Sequence, residues 1–225
     1  MPSGNVDEWD EYYRTQSVAV HPDLFVVRRF AKESAIPMKR VLIFACGAGR
    51  NAIWLAKRGL YVMATDQSKE ALEKVKWWAR TEGVEGSVDV LQHDLLAGDE
   101  SYDRYLGSRD YDFVIFEGCL EYFDDEQVLE VLRRSRRCMR LTRGGRVFIF
   151  ARGPSHWAHQ TTERSDGWMK TYPREDFWYA QALSEELDLD HFEVTNDVCG
   201  TTTFQGLTKA ECQRWSDDLY LEGWR

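Results

Sequence analysis

The stretch Arg40-Val-Leu-Ile-Phe-Ala-Cys-Gly-Ala-Gly-Arg-Asn-Ala52, followed by Val62-Met-Ala-Thr-Asp66, decides the fold of this chain. Residues 41–45 are apolar and uncharged, which is typical of a strand buried on both faces of a parallel sheet. Gly47 and Gly49 lack a Cβ atom where the backbone must turn sharply, so a ligand can approach the main chain there. The sequence therefore predicts a buried strand that enters a glycine turn.

A helix and a second strand follow this turn. Residues 53–56 give an apolar helical face, and Arg58-Gly59 provides a basic last turn and a glycine stop. Residues 61–64 predict the second strand, and Asp66 lies just past its end. In a right-handed βαβ unit the ends of adjacent strands lie side by side, so Asp66 is expected to reach a ribose diol above the glycine turn. Each hydrogen bond from a ribose hydroxyl to this carboxylate contributes roughly 1.5–3 kcal/mol, which is enough to select a nucleoside.

Further strands end in acidic residues. Residues 88–95 predict a third strand that ends in Asp94, where the amino group of a bound adenine would lie. Residues 111–123 predict a fourth strand that enters a loop at Glu117, and residues 146–151 predict a fifth strand. Strands and helices alternate five times, and this alternation requires a mainly parallel sheet.

The connections and the C-terminal part are less regular. Residues 97–110 are expected to be a polar surface connection, and residues 172–187 predict a helix. A sixth strand is predicted at 191–195 and a seventh at 201–204. A capping box that begins at Thr208 predicts a last helix.

The segments around the glycine turn match a known pattern. Cys46-Gly-Ala-Gly-Arg-Asn51, Trp54-Leu-Ala-Lys-Arg-Gly59 and Val62-Met-Ala-Thr-Asp66, in this order, resemble the class I S-adenosylmethionine-dependent methyltransferases. The tellurite-resistance and thiopurine methyltransferase branches are the most similar in pattern. The resemblance covers residues 8–152 and implies a single-domain, Rossmann-like α/β fold. In this fold a mainly parallel seven-stranded sheet carries helices on both faces.

The same resemblance implies S-adenosylmethionine as the cofactor. Gly47 and Gly49 would pack against its methionine part, and Asp66 would hold its ribose. Asp94 and the residue after it would flank the adenine, and residues 117–120 would close the site beneath the sulfonium. The predicted cofactor-binding residues are Trp9, Arg14, Ala45, Cys46, Gly47, Gly49, Asn51, Asp66, Gln67, Asp94, Leu95, Glu117, Gly118 and Leu120.

Two segments are expected to cover the site of this one domain, which would span residues 1–225. In the families resembled, an N-terminal aromatic segment lies over the cofactor as a lid, and residues 1–30 would have this place. The alternative is a helix that its aromatic residues dock on the sheet edge. Residues 153–180 leave the C-terminal end of the fifth strand, where ligands bind in open α/β sheets, and are predicted to cover the substrate. The candidates for the lid contact are Trp9, Tyr13 and Arg14.

Methyl transfer from a sulfonium is a direct displacement, so the protein must hold the nucleophile, the methyl carbon and the sulfur in line. Orientation of this kind lowers the barrier by roughly 7–11 kcal/mol. Oxygen and amine acceptors also need a general base, whereas thiols and chalcogen anions need little help. The candidate catalytic residues are Tyr13, Glu117, His156, His159 and Tyr172. The preferred acceptor is a small apolar or aromatic molecule, bound by Trp157, Trp168, Tyr172 and Phe177.

Composition restricts the partners. The net charge of −9 argues against a protein that binds phosphate backbones. Seven arginines at positions 133–146 are the exception: a solvated helix face is the first explanation, and a nucleic-acid or acidic-partner patch is the second. The five cysteines include no C-x-x-C pair, so no metal site is expected. No apolar run approaches the roughly 18 residues of a membrane span, so we expect a cytoplasmic protein. We also expect it to be a monomer or a homodimer.

Two other functions are compatible with the sequence. Residues 47–52 also fit the G-x-G-x-x-A pattern of nicotinamide-dependent oxidoreductases, but the third glycine and a Tyr-x-x-x-Lys element are absent. A protein that binds S-adenosylmethionine without turnover is the other alternative, because Ile43 stands where the family commonly has an acid. Methylation of a nucleic-acid base is disfavoured, since residues 117–120 lack the Asn/Asp-Pro-Pro-aromatic element.

Overall fold

The segment from residue 40 to residue 66 folds as strand, turn, helix and strand, as its sequence predicts. The structure is a computed structural model. The residues that it describes are 6–15, 21–22, 26–27, 30, 40–106, 111–138, 145–152, 174, 176–189, 191–198 and 217–224.

The described residues form helices and strands in alternation over most of the chain. The helices are α1 (Val6–Thr15), α2 (Arg50–Ala56), α3 (Lys69–Thr81), α4 (Asp99–Tyr105), α5 (Asp125–Ser135) and α6 (Asp176–Leu187). The strands are β1 (Arg40–Phe44), β2 (Tyr61–Asp66), β3 (Val88–Gln92), β4 (Phe113–Glu117), β5 (Arg146–Arg152), β6 (His191–Val198) and β7 (Asp217–Trp224). Short 3-10 turns occupy Glu85–Ser87, Leu120–Tyr122 and Arg136–Cys138.

The strands form one seven-stranded sheet in the order β3-β2-β1-β4-β5-β7-β6. The five strands β3, β2, β1, β4 and β5 are parallel, and β7 pairs antiparallel with both β5 and β6. The parallel strands need crossover connections, and these place helices against the sheet. The mainly parallel α/β fold predicted from the sequence is thus confirmed.

Both faces of the sheet are buried, and β1 shows why its apolar run is continuous. Leu42 and Phe44 face a core cluster formed with α4, α5 and α6. Val41 and Ile43 face a second cluster formed with α2 and α3. All four side chains are fully buried. Successive strand residues point to opposite faces, so a strand covered on both sides has no place for a polar residue.

Two elements differ from the sequence-based predictions. The expected polar connection at 97–110 contains the helix α4, because Tyr102 and Leu106 lie one turn apart and are both fully buried. The described seventh strand is β7, which was not predicted from the sequence. The predicted strand at 201–204 and the helix that begins at Thr208 lie outside the described residues.

Candidate functional site

The ends of four parallel strands converge on one cavity of about 100 Å³. Because the carboxyl ends of parallel strands meet at one edge of the sheet, the residues that follow β1, β2, β3 and β4 come together there. Helix α1 covers this edge. The cavity is lined by Trp9, Tyr13, Ala45, Asp66, Gln67, His93, Asp94, Leu95, Glu117, Gly118, Cys119, Tyr122 and Phe123.

The turn after β1 has a left-handed backbone at three positions. Its φ angles are 53° at Ala45, 55° at Gly47 and 84° at Gly49. A Cβ atom at Gly49 would lie 2.7 Å from Cγ2 of Val75 in α3, so this glycine lets α2 approach α3. A Cβ atom at Gly47 would lie 2.6 Å from the hydroxyl oxygen of Tyr13 in α1. The backbone angle favours glycine at both positions, and at Gly49 the contact with the buried Val75 side chain requires it as well.

Asp66 joins the end of β2 to the glycine turn. One oxygen of its carboxylate accepts a hydrogen bond from the backbone N–H of Gly47, and the other accepts one from the backbone N–H of Ser68, both at 2.9 Å. Burial raises the pKa of Asp66 to about 6, and the hydrogen bonds from Ser68 and Gly47 oppose that rise. Each carboxylate oxygen can accept a second hydrogen bond, so the group can also receive two hydroxyl donors from the cavity.

The loop after β3 brings His93, Asp94 and Leu95 to the cavity. Oδ1 of Asp94 accepts a hydrogen bond from the backbone N–H of Leu96 at 2.9 Å, which fixes the carboxylate in a tight turn. His93 is buried, with its ring edge-to-face against Tyr102 at 4.6 Å. Burial lowers the pKa of His93 to about 4, so its ring is neutral near pH 7.

Glu117, the last residue of β4, forms an ion pair across the glycine turn. Nε of Arg50, the first residue of α2, donates to Oε1 of Glu117 at 3.1 Å. The Glu117 side chain is only 10% exposed, so the guanidinium partly compensates a carboxylate that would otherwise be costly to bury. The following residue, Gly118, has φ 59° and donates its N–H to the carbonyl of Phe150.

Helix α1 is attached to the beginning of α3. Oδ1 of Asp10 accepts hydrogen bonds from the hydroxyl of Ser68 at 2.5 Å and from the backbone N–H of Glu70 at 3.2 Å. Ser68 is itself the N-cap of α3, since its hydroxyl oxygen accepts from the N–H of Ala71. An acidic side chain from α1 thus binds the positive end of α3.

The aromatic face of α1 covers the cavity. Trp9 stacks with Tyr13 at 6.1 Å between ring centroids and meets Tyr122 edge-to-face at 5.8 Å. These contacts join α1 to the loop after β4 and form an aromatic wall of the cavity.

The hydroxyl group of Tyr13 lies among acidic groups. Burial raises the pKa of Tyr13 well above its ordinary value, and Asp66, Cys46 and Glu117 raise it further. The phenol therefore stays protonated at neutral pH. It can donate a hydrogen bond, but it is disfavoured as a general base.

Arg174 holds the loop after β4 by hydrogen bonds to its backbone. Its guanidinium is buried and donates to the carbonyls of Leu120 at 3.2 Å and Phe123 at 2.6 Å. It also pairs with Asp125 and lies over the ring of Trp178. These contacts order the segment that carries the two aromatic residues of the cavity, and this arginine was not predicted from the sequence.

The structure separates the predicted site residues into three groups. Those that line the cavity are Trp9, Tyr13, Ala45, Asp66, Gln67, Asp94, Leu95, Glu117 and Gly118. Those that do not are Arg14, Cys46, Gly47, Gly49, Asn51 and Leu120. Arg14 is more than half exposed and pairs with Glu11 and Glu70 outside the cavity. Leu120 is fully buried in the core. The residues outside the described part are His156, Trp157, His159, Trp168 and Tyr172, and the side chain of Phe177 in α6 is not described either.

Several cavity residues were not among those predicted from the sequence. His93 directly precedes Asp94, and the aromatic pair Tyr122 and Phe123 lies a few residues after Glu117. The sequence signal that could have indicated these residues as site residues was their position beside predicted strand ends. Arg50, inside the quoted motif, was missed because its partner Glu117 is 67 residues away.

The arginine-rich segment has acidic partners in the same chain. Arg133 pairs with Glu186 at 3.0 Å, and Arg137 pairs with Asp99 at 2.8 Å. Arg134 also pairs with Asp99, and Arg136 reaches Asp188 at 4.0 Å. These pairs favour a solvated helix face over a phosphate-binding patch for residues 133–137; residues 139–144 lie outside the described part.

Neither a metal site nor a membrane span is found where the structure can be described. Within those ranges, no group of His, Cys, Asp and Glu side chains could hold a metal ion. In the same ranges, no helix is long and apolar enough to cross a membrane.

Residues 41–144 match the family model described as a methyltransferase domain. The segment is similar to the members of that family, and it makes up 104 of the 225 residues. It contains the glycine turn, Asp66, Asp94 and Glu117, and therefore most of the cavity described above. No curated protein sequence matches the chain significantly.

The chain shares its fold with solved structures of methyltransferases. A protein from Nostoc punctiforme described as a candidate O-methyltransferase has a TM-score of 0.67 at 16% identity, over 96% of this chain and 60% of its own. The magnesium protoporphyrin IX methyltransferase of Synechocystis, solved with bound S-adenosylhomocysteine, has a TM-score of 0.64 at 16% identity. The alignment covers 97% of this chain and 93% of that protein. An S-adenosylmethionine-dependent methyltransferase from Archaeoglobus fulgidus has a TM-score of 0.63 at 15% identity, over 99% of this chain and 100% of its own.

These similarities show that the fold is that of the methyltransferases named. The chain spans 60% of the Nostoc protein and the whole of the Archaeoglobus protein. The predicted Rossmann-like methyltransferase fold is confirmed.

Proposed function

We propose that this protein transfers a methyl group from S-adenosylmethionine to a small-molecule acceptor by in-line displacement. The observation that carries the proposal is the junction of Asp66 with the glycine turn, in one cavity with Asp94 and Glu117. This arrangement provides one acid for the ribose and one for the adenine of a bound adenosine, with Ala45 of the glycine turn in the same cavity. When bound, S-adenosylmethionine supplies a methyl group activated by a sulfonium.

The residues present fit this cofactor. Asp66 would accept the ribose hydroxyls on the lone pairs that its backbone N–H donors leave available. Asp94 and Leu95 would flank the adenine, with the carboxylate accepting from its amino group. The methionine part would lie against Ala45 and the Tyr13 side chain, which both line the cavity.

The positive sulfonium would lie towards the end of β4. Glu117 is the carboxylate there, and its ion pair with Arg50 holds it in one orientation. We assign Glu117 to electrostatic orientation of the cofactor rather than to proton abstraction, since one of its oxygens is already engaged. His156 and Tyr172 stay as predicted bases for an acceptor that must lose a proton.

The acceptor would enter beside the aromatic wall that includes Trp9 and Tyr122, and beside Phe123, which also lines the cavity. Flat aromatic side chains bind apolar and aromatic molecules by area and exclude water from the reacting centre. This composition supports a small apolar or aromatic acceptor. We also propose that residues 1–30 act as the lid, that residues 153–180 cover the acceptor, and that one domain spans residues 1–225.

The finer family placement rests on the sequence motif. Cys46-Gly-Ala-Gly-Arg-Asn51 supports a position near the tellurite-resistance and thiopurine methyltransferase branches. A chalcogen or thiol acceptor would be consistent with such a position, because these nucleophiles need no strong base.

Calorimetry with S-adenosylmethionine and S-adenosylhomocysteine tests the proposal on wild type, Asp66→Ala and the control Asp103→Ala. Asp103 is a carboxylate on α4 that is 60% exposed and lies outside the cavity lining. Loss of two hydroxyl contacts to a carboxylate should weaken binding at least about hundredfold in Asp66→Ala, with the control unchanged. Equal affinity in all three proteins would refute the ribose site, and thermal unfolding without ligand separates lost binding from lost folding.

A second candidate function is cofactor binding without turnover. The observation that favours it is Ile43, whose side chain is fully buried in the core where the resembling family commonly has an acid. Formation of S-adenosylhomocysteine with any member of a thiol, phenol and amine panel excludes this candidate. Tight binding with no turnover across the panel supports it.

A further inference from the structure

Arg134 belongs to the arginine-rich segment 133–146, and its side chain is more buried than that of its neighbour Arg133. Its side chain is 17% exposed, whereas that of its neighbour Arg133 is 58% exposed. Both lie in the last turn of α5, so the difference comes from what each side chain contacts. Arg133 reaches Glu130 and Glu186 on the surface. Arg134 points instead to the loop between β3 and α4.

Four contacts join Arg134 to this region. Nη1 donates to the backbone carbonyls of Leu96 at 3.2 Å and Ala97 at 2.9 Å. Nε donates to Oδ1 of Asp99, the first residue of α4, at 3.2 Å. Nη2 pairs with Glu130 one turn earlier in α5 at 2.9 Å, which holds the guanidinium itself in place. The planar, five-donor guanidinium can serve these acceptors at once, which a lysine cannot.

The loop held by Arg134 is the turn that presents Asp94. The N–H of Ala97 donates to the carbonyl of Asp94, and the N–H of Leu96 donates to Oδ1 of its carboxylate, both at 2.9 Å. The N–H groups of these two residues therefore orient Asp94, while their carbonyl groups bind Arg134. The turn is held from both sides, and Oδ2 of Asp94 makes no hydrogen bond to any residue in the described ranges.

We propose that Arg134 is a positioning residue for adenine recognition. By fixing the carbonyls of Leu96 and Ala97, it holds the turn in which one oxygen of Asp94 is directed at the 6-amino group of the base. The inference rests on the cofactor site proposed above. It assigns a role to one arginine of the cluster that its surface neighbours do not share.

The test compares two ligands that differ at C6 and N1 of the base. S-adenosylhomocysteine carries a 6-amino donor and an N1 acceptor, whereas S-inosylhomocysteine carries a 6-oxo acceptor, which would face the carboxylate, and an N1–H donor. Wild type should bind the adenine compound at least about tenfold more tightly, the value of one hydrogen bond to a charged group. Calorimetry should show that this ratio falls to about threefold or less in Arg134→Leu, as expected when the carboxylate loses its orientation.

Arg133→Leu is the matched control, since it removes the same charge one position earlier without touching the loop. It should keep the wild-type ratio. A general loss of stability would weaken both ligands equally and leave the ratio unchanged in Arg134→Leu, and that result would overturn the inference. If Arg134→Leu does not fold, Arg134→Lys replaces it, because lysine keeps the positive charge but lacks the planar set of guanidinium donors. The ratio of the two ligand affinities in Arg134→Lys is then read in the same way.

Failure of the cofactor site and failure of the Arg134 role give different results. Wild type that binds neither ligand would refute the cofactor site itself. Wild type that binds both equally would leave the cofactor site intact and overturn the inference, because Asp94 would then not read the 6-amino group.

Discussion

Gly49 combines a left-handed backbone with a contact that leaves no room for a side chain. Its φ is 84°, and a Cβ atom there would lie 2.7 Å from Cγ2 and 3.1 Å from Cγ1 of Val75. Val75 is fully buried in α3 and belongs to the core beneath the glycine turn. Replacing Gly49 by alanine should therefore strain the backbone and push α2 away from α3.

The magnitude follows from these two costs. A residue with a Cβ atom in the left-handed region costs roughly 1–2 kcal/mol. Overpacking a tight core contact typically costs about 1–3 kcal/mol. Together they predict that Gly49→Ala lowers the free energy of unfolding by about 2–5 kcal/mol.

Two other glycines isolate the contributions. Gly83 has φ 68°, and no atom lies within 4 Å of the place that a Cβ atom would take, so Gly83→Ala should cost only the backbone term. Gly86 also has open space around it but no left-handed φ, so Gly86→Ala should leave stability within about 1 kcal/mol of wild type. Urea unfolding of the three variants gives the free energies directly.

A double variant tests the contact itself. Val75→Ala removes the two methyl groups that the new Cβ would meet. The combined variant Gly49→Ala/Val75→Ala should therefore be less destabilised than the sum of the single variants, by about 1–3 kcal/mol. Strict additivity, or a cost for Gly49→Ala no larger than that for Gly83→Ala, would refute the steric argument.

Two further features make predictions. Burial lowers the pKa of His93 from 6.5 to about 4, so the stability from its neutral ring is present above pH 6.5 and is lost as the pH falls through about 4. Between pH 7 and pH 4, wild type should lose about 3 kcal/mol of unfolding free energy more than His93→Leu, and parallel curves would contradict this. Asp10→Ala removes the acceptor for Ser68, so S-adenosylhomocysteine should bind about fivefold more weakly in calorimetry. Glu8 is exposed, and the control Glu8→Ala should bind like wild type. An Asp10→Ala affinity equal to that of Glu8→Ala would show that α1 does not act as a lid.

The unit from β1 to β2 was predictable because its signals are local. The continuous apolar run and the two glycines at left-handed positions each act within a few residues. Asp66 lines the cavity because parallel strands end at one edge of the sheet.

Other elements carried too little local signal. Among the described side chains of helix α4 and the residue after it, Tyr102 and Leu106 are the buried ones, so this mainly polar segment has the pattern of a surface connection. Strand β7 is defined by antiparallel pairing with β5 and β6, and its pairs with β5 join residues 66 to 78 positions apart. Pairing over such separations has no periodic pattern in either segment alone.

The order of strands, turns and acidic strand ends is written in the sequence, and it was sufficient to bring Asp66, Asp94 and Glu117 to one edge of a methyltransferase fold. Only the tertiary structure decided how each acid is held. Asp66 is oriented by the glycine turn, Glu117 by an arginine 67 residues away, and the turn of Asp94 by Arg134. The physical reason is that backbone conformation and burial follow from near neighbours, whereas the direction of a carboxylate follows from whichever donors the packed chain brings beside it.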